Sequence, residues 1–167
     1  MEIVSYSSSK GAIAVGVNFN PLYRREIFIY EPIKIFCESK LKEAAEKYGK
    51  KYQFRLDEVG ADIDHVHVLV TFGPNVKFCD IMKVIKEYSA KELFRTFPWL
   101  RGRDETNILG RGTRTRLFTT GRFWSGGYYF ESYGRKTFDS HKDYVAKQGR
   151  HHEFERNQMK LSNFIAA

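Results

Sequence analysis

Residues 64–72 read DHVHVLVTF, and the alternation of an extended chain decides where each of these side chains goes. Successive residues of a strand point to opposite faces of its sheet. Val66, Val68 and Val70 therefore share one face, the natural core side, and His65, His67 and Leu69 share the other. So apolar a segment reads as a strand from the centre of a sheet, yet it carries two imidazoles about 7 Å apart along one face.

The chain around it alternates two periodicities. GAIAVGVNFN (11–20) reads as a first strand, followed by the basic loop PLYRREIFIY. Glu31 before a first-turn proline, and the helical spacing of Ile33, Phe36, Cys37, Leu41, Ala44 and Ala45, predict a helix over 31–49 that stops at Gly49. A second strand with a glycine bend covers 51–63, the histidine strand covers 64–72, and a helix over 75–98 ends near Pro98. Residues 99–122 are rich in Gly, Arg and Thr, with RLFTT as a candidate short strand. FWSGGYYFESYG (123–134) reads as the last strand, and a helix over 138–158 is open to interruption at Gly149. The order βαββαβ, then α, is the split-βαβ arrangement. We expect one α+β domain over residues 1–167, ferredoxin-like or RRM-like. Its antiparallel sheet should carry helices on one face, and a C-terminal tyrosine-bearing helix is free to cross elsewhere.

Charge narrows the partners. Lys and Arg number 28 against 20 Asp and Glu, a formal surplus of +8, which favours polyanions and nucleic acid first. The start, MEIVSYSSSK, lacks the apolar stretch of a signal peptide, and no run is long enough to span a bilayer. A cytoplasmic protein with no membrane partner is expected, with Cys37 and Cys79 as reduced core thiols.

His65 and His67 on one strand face suit convergence on a single divalent metal, since imidazole is a common ligand. The alternative is a pair of half-exposed surface histidines. Asp62 and Asp64 read as solvating the strand entry rather than orienting the rings. In HKDYVAKQ, Tyr144 and Gln148 lie four residues apart on one helix face, with His141 on the same side. A phenol oxygen beside a metal can attack phosphorus, and an amide oxygen can complete a shell suited to Mg²⁺ or Mn²⁺. On spacing alone such a pair is more often packing and surface. His151 and His152 read as solvated. Arg24 and Arg25 in the first loop, Lys83, Lys86 and Lys91 on the second long helix, and Arg101, Arg103, Arg111, Arg114, Arg116 and Arg122 beyond it are candidate phosphate contacts. Phe123 and Trp124 suit base stacking or core packing equally.

HVHVLV resembles the histidine–hydrophobe–histidine (HUH) motif of single-strand endonucleases. IKEYSAKELFRTFP is similar to the second helix of the insertion-sequence-200-like transposases, FWSGGYYFESYG to their last strand, DYVAKQ to their tyrosine helix and PLYRREIF to their first basic loop. Order and spacing agree over roughly residues 12–148. VGADIDH departs from the shorter proline-containing approach usual in that family, and the 99–122 segment is longer. The resemblance implies a small prokaryotic dimeric transposase with active sites shared between chains. It would nick single-stranded DNA with hairpin ends at the boundaries of a mobile element, leaving a 5′-phosphotyrosine and a free 3′-hydroxyl. Carried over, His65, His67 and Gln148 become ligands of Mg²⁺ or Mn²⁺, and Tyr144 the nucleophile. Two rival readings stand beside it. One is a domesticated relative that nicks chromosomal hairpin repeats. The other is a non-catalytic RRM-like module, which would need exposed aromatics on its sheet.

Overall fold

The computed structural model of the chain describes residues 4–5, 10–101, 118 and 120–147. β1 (Val4–Ser5) and β2 (Lys10–Gly11) form a small antiparallel pair of their own. The main sheet is built from β3 (Ile13–Phe19), β4 (Phe54–Ala61), β5 (Val66–Phe72) and β6 (Tyr129–Tyr133), in the order β4-β5-β3-β6 with every pair antiparallel. The connecting helices are α1 (Glu31–Tyr52) and α2 (Phe78–Thr96), and α3 (Arg135–Lys147) follows β6. This is the expected split-βαβ sheet.

Register explains the core. Val15, Val17 and Phe19 of β3 stand opposite Val70, Val68 and Val66 of β5. All six are buried with Ile33, Cys37 and Leu41 of α1 and Ile81 and Ile85 of α2. The other face is not bare. Ala14, Leu69 and Phe138 form a second cluster there with Tyr133 packed against it. The C-terminal helix thus lies across the face that carries the histidines, and β5 is buried along its whole length.

Several local expectations change. Helix α1 passes Gly49 and ends at Tyr52, capped by Gln53 in the left-handed region (φ 54°), whose N–H bonds the Gly49 carbonyl. Gly49 serves close approach: a Cβ there would lie 2.5 Å from the Phe54 carbonyl oxygen. Cys37 is buried as expected, but Cys79 is exposed. Strand pairing with β3 begins only at Tyr129, because Phe123 and Trp124 turn into the core, 1% and 5% exposed. Phe123 packs on Phe118 at 4.8 Å, and the Trp124 indole donates to Ser89 Oγ at 2.9 Å. They are packing residues, with no face free for base stacking. α3 starts three residues earlier than expected; its extension to 158 and the Gly149 interruption lie outside the described residues. Of RLFTT, only Phe118 and Thr120 are described.

Candidate active site

A tight connection delivers the first histidine. Asp62 N–H donates to the His65 carbonyl at 2.9 Å, closing the turn between β4 and β5. His65 sits at the mouth of that turn, and His67 lies two residues into the sheet, opposite Asn18 and Gly60. Gly60 adds no side chain on that side. The rings meet edge to face with centroids 4.7 Å apart, and their Nε2 atoms are 2.8 Å apart. Two adjacent ligands at ordinary metal–nitrogen length, at right angles, stand about 3 Å apart. The pair therefore fits two cis positions of one metal shell.

Burial sets the charge of this pair. His67 is 7% exposed, and its pKa is pushed down to about 4, chiefly by burial and then by the neighbouring His65 and His141, against the pull of Asp62. It is a neutral imidazole at neutral pH, the form that binds metals. Asp64 does more than solvate the strand entry. Its Oδ1 lies 2.7 Å from His65 Nδ1, and its Oδ2 is held by Arg24 Nη2 at 2.9 Å and Nε at 3.1 Å.

α3 brings the tyrosine. Phe138 and Val145 are its buried anchors, and His141, partly buried, lies between them. The Tyr144 ring stands 6.0 Å from the His67 ring and nearly perpendicular to it, while the residue remains 54% exposed. His141 stacks on Tyr133 at 4.0 Å and lies 5.8 Å from the Tyr144 ring. Burial lowers the His141 pKa against the opposing pull of Glu131. Gly16 makes room for this stack, since a Cβ there would run into the Tyr133 ring and come within 2.9 Å of His141 Nε2. Glu131 accepts from the Tyr129 and Tyr133 hydroxyls.

His65, His67 and Tyr144 are thus brought together. Gln148 lies outside the described residues. Among the described residues no group of three or more His, Cys, Asp and Glu side chains could hold a metal ion. The room made by Gly16 and the pairing of Arg24 with Asp64 carried no sequence signal; Arg24 and Asp64 are 40 residues apart.

The basic candidates divide. Lys83, Lys86, Lys91, Arg101 and Arg122 line one groove of about 610 Å³ between α2 and the 121–128 segment, where Glu87 is the single acidic residue among the described lining residues. Within it Lys86 is committed to the protein: its Nζ donates to the Ser125 and Gly127 carbonyls at 2.7 and 3.2 Å, and burial lowers its pKa. It braces a loop rather than offering a free charge. Arg101 lies over the Phe94 ring at 4.5 Å. Arg25 is partly buried, with its guanidinium over Tyr23 and Phe118. Arg103, Arg111, Arg114 and Arg116 lie outside the described residues. A second groove, about 490 Å³, runs past Arg24, His65, Asn18 and Asn20 and shares Ser125 and Tyr128 with the first.

A family described as Transposase IS200 like matches residues 12–148. In fold the chain is similar to a Deinococcus radiodurans R1 protein described as a transposase, with 19% identity and a TM-score of 0.58 over 87% of this chain and 98% of that one. It also aligns with a REP-associated tyrosine transposase bound to a REP hairpin, at 16% identity and a TM-score of 0.44, over 87% of this chain and 70% of that one. No curated protein matches the chain.

Proposed function

The chain belongs to the IS200-like transposase family, and from that premise we propose that it is a metal-dependent single-stranded DNA endonuclease and strand transferase. It cuts and rejoins the ends of a mobile element through a 5′-phosphotyrosine intermediate. Membership carries tyrosine-based transposase activity in general terms. The observation that carries the finer reading is the meeting of two imidazole Nε2 atoms with an exposed tyrosine whose ring stands 6.0 Å from His67.

In this reading Tyr144 is the nucleophile. Its phenol oxygen bonds to phosphorus, the bond from phosphorus to the 3′-oxygen breaks, and the phenol proton ends on the departing 3′-hydroxyl by way of solvent. His65 and His67, with Gln148 as a third ligand, would hold Mg²⁺ or Mn²⁺. When bound, that ion neutralises charge on the scissile phosphate and on the departing oxygen. His67 stays neutral at neutral pH, and the two Nε2 atoms face one point. The phosphotyrosine conserves the bond energy, so a 3′-hydroxyl from another strand can reverse the step without ATP.

The substrate is single-stranded DNA with hairpin ends, and the protein acts in the prokaryotic cytoplasm. The +8 surplus and the groove rimmed by Lys83, Lys91, Arg101 and Arg122 support a DNA path along α2. Among the described residues no helix is long and apolar enough to cross a membrane. The protein works as a homodimer, its active sites shared between chains when α3 is exchanged. The exposed edge strand β6, with Tyr129 and Phe130 61% and 55% exposed, supports self-association. A passive RRM-like module fits less well, because α3 covers the sheet face on which bases would stack.

The deciding experiment incubates the protein and Mn²⁺ with labelled single strands from the flanks of its own gene. A denaturation-resistant adduct is expected, absent in EDTA and in Tyr144→Phe. An adduct that persists in Tyr144→Phe would refute the nucleophile.

A further inference from the structure

We infer that Asp64 and Arg24 are positioning residues for His65: Asp64 fixes its tautomer and direction, and Arg24 holds Asp64 in place. The inference rests on the reading of His65 and His67 as a metal-binding pair. Asp64 Oδ1 lies 2.7 Å from His65 Nδ1, so the imidazole carries its proton there and donates it to the carboxylate. Nε2 is left with its lone pair, aimed where His67 Nε2 also points, 2.8 Å away. With His65 so fixed, the contact between the rings is donated by His67 Nε2–H in the metal-free protein.

Arg24 closes the arrangement from the far side. Its Nη2 and Nε both reach Asp64 Oδ2, which leaves Oδ1 for the histidine. The arginine side chain is 69% exposed, and a surface ion pair of this kind adds little stability. Orientation is what remains for it to supply. The backbone supports this. Tyr23 and Arg24 are consecutive non-glycine residues in the left-handed region, with φ of 63° and 49°. Such conformations persist where the surroundings hold them, and they concentrate at functional sites. Here the hold is visible: Leu22 N–H bonds the Phe123 carbonyl at 2.7 Å, Arg24 N–H bonds the Pro21 carbonyl at 2.9 Å, and Pro21 bridges to Trp124. The buried aromatic core thus sets where the guanidinium sits. Arg24 acts through Asp64, rather than as the phosphate contact its basic loop suggests.

Two readouts on the full chain test this without DNA cleavage. Long-range ¹⁵N–¹H spectra of the metal-free protein report the tautomer of His65, and calorimetry reports Mn²⁺ affinity. The wild type should show His65 protonated on Nδ1. Asp64→Ala should lose that preference and weaken Mn²⁺ binding about 10- to 100-fold, the usual cost of losing a ligand's supporting carboxylate. Asp64→Asn, whose amide oxygen still accepts, should keep the tautomer and recover part of the affinity. It also serves if the alanine variant fails to fold. Arg24→Ala should weaken Mn²⁺ binding by a smaller factor and leave the salt dependence of DNA binding unchanged. Combined with Asp64→Ala it should add nothing, because the two act as one unit. His65 protonated on Nε2 in the wild type, or additive losses in the double variant, would overturn the inference. A wild type that binds no Mn²⁺ yet shows the Nδ1–H tautomer would sink the metal reading and leave the relay standing.

Discussion

A histidine in the middle of a strand, 7% exposed and facing a second imidazole, must give up its charge. His67 does so, with a pKa of about 4 against the ordinary 6.5. The groups that bear on it are His65 and Asp62 from its own hairpin and His141 from α3. In the window between those two values the unfolded chain binds the extra proton. Stability therefore rises with pH across the window, is complete above about 6.5 and is lost as pH falls towards 4. In EDTA, the urea midpoint of the wild type should fall more steeply from pH 7 to pH 4.5 than that of His67→Gln. Parallel curves would show that His67 is not held neutral by the fold. Both histidines were legible as one cluster, because strand alternation is a local rule. The tie from Asp64 to its neighbour His65 could be weighed but was read as solvation of the strand entry, and the tie to Arg24 was not legible, since nothing in a sequence reports which carboxylate a residue 40 positions away will meet. The same limit applies to Phe123 and Trp124: an aromatic pair beside a basic loop suits a base or a core, and only the packing on Phe118 and Ser89 decides.

At the scale of elements, β3 and α3 meet through an absence. Gly16 stands on the histidine face, and its missing side chain admits the Tyr133–His141 stack. In Gly16→Ala the new methyl would collide with both rings, so one or both must swing and α3 must lift. Overpacking of this kind costs about 1–3 kcal/mol. Misplacing a nucleophile by an ångström can cost about 100-fold in rate. Adduct formation by Gly16→Ala should therefore fall by roughly that factor while the urea midpoint moves only modestly. An unchanged adduct rate would mean that the docked position of α3 is not the reactive one. The strands and the two long helices were readable because periodicities of 2 and 3.6 are strong over such lengths. Their ends were less so. Gly49 looked like a stop, yet the helix continues, because the glycine is needed for the approach of the Phe54 carbonyl. The face α3 would cover was also hidden, since Phe138 and Val145 mark an apolar stripe without naming its partner.

The whole molecule must place a strand of DNA and an attacking tyrosine together, and charge governs the first task. Affinity for single strands should fall linearly on a log–log salt plot. Replacing Lys83, Lys91 and Arg122 by Gln together should reduce the slope by up to about 2, near 0.7 for each lost phosphate contact. An unchanged slope would move the DNA path off α2, towards Arg103, Arg111, Arg114 and Arg116. Geometry governs the second task. The βαββαβ order is complete before α3 begins, and a single residue, Gly134, joins β6 to that helix. Turning about it would carry Tyr144 from its own His67 towards the histidines of a second copy. In the chain as it stands the tyrosine lies beside its own pair, so the cleaving arrangement is either this one or the exchanged one. Two inactive variants separate them: Tyr144→Phe alone and His67→Ala alone. A mixed dimer with exchanged helices holds one site with an intact tyrosine and an intact histidine pair, and one site with both defects. Co-expression should then restore adduct formation to a fraction of wild type. With sites built within each chain, every site keeps one defect and no activity returns. Verified mixed dimers that stay inactive would fix the reactive tyrosine on its own sheet, where Gly16 makes room for the Tyr133–His141 stack beside it.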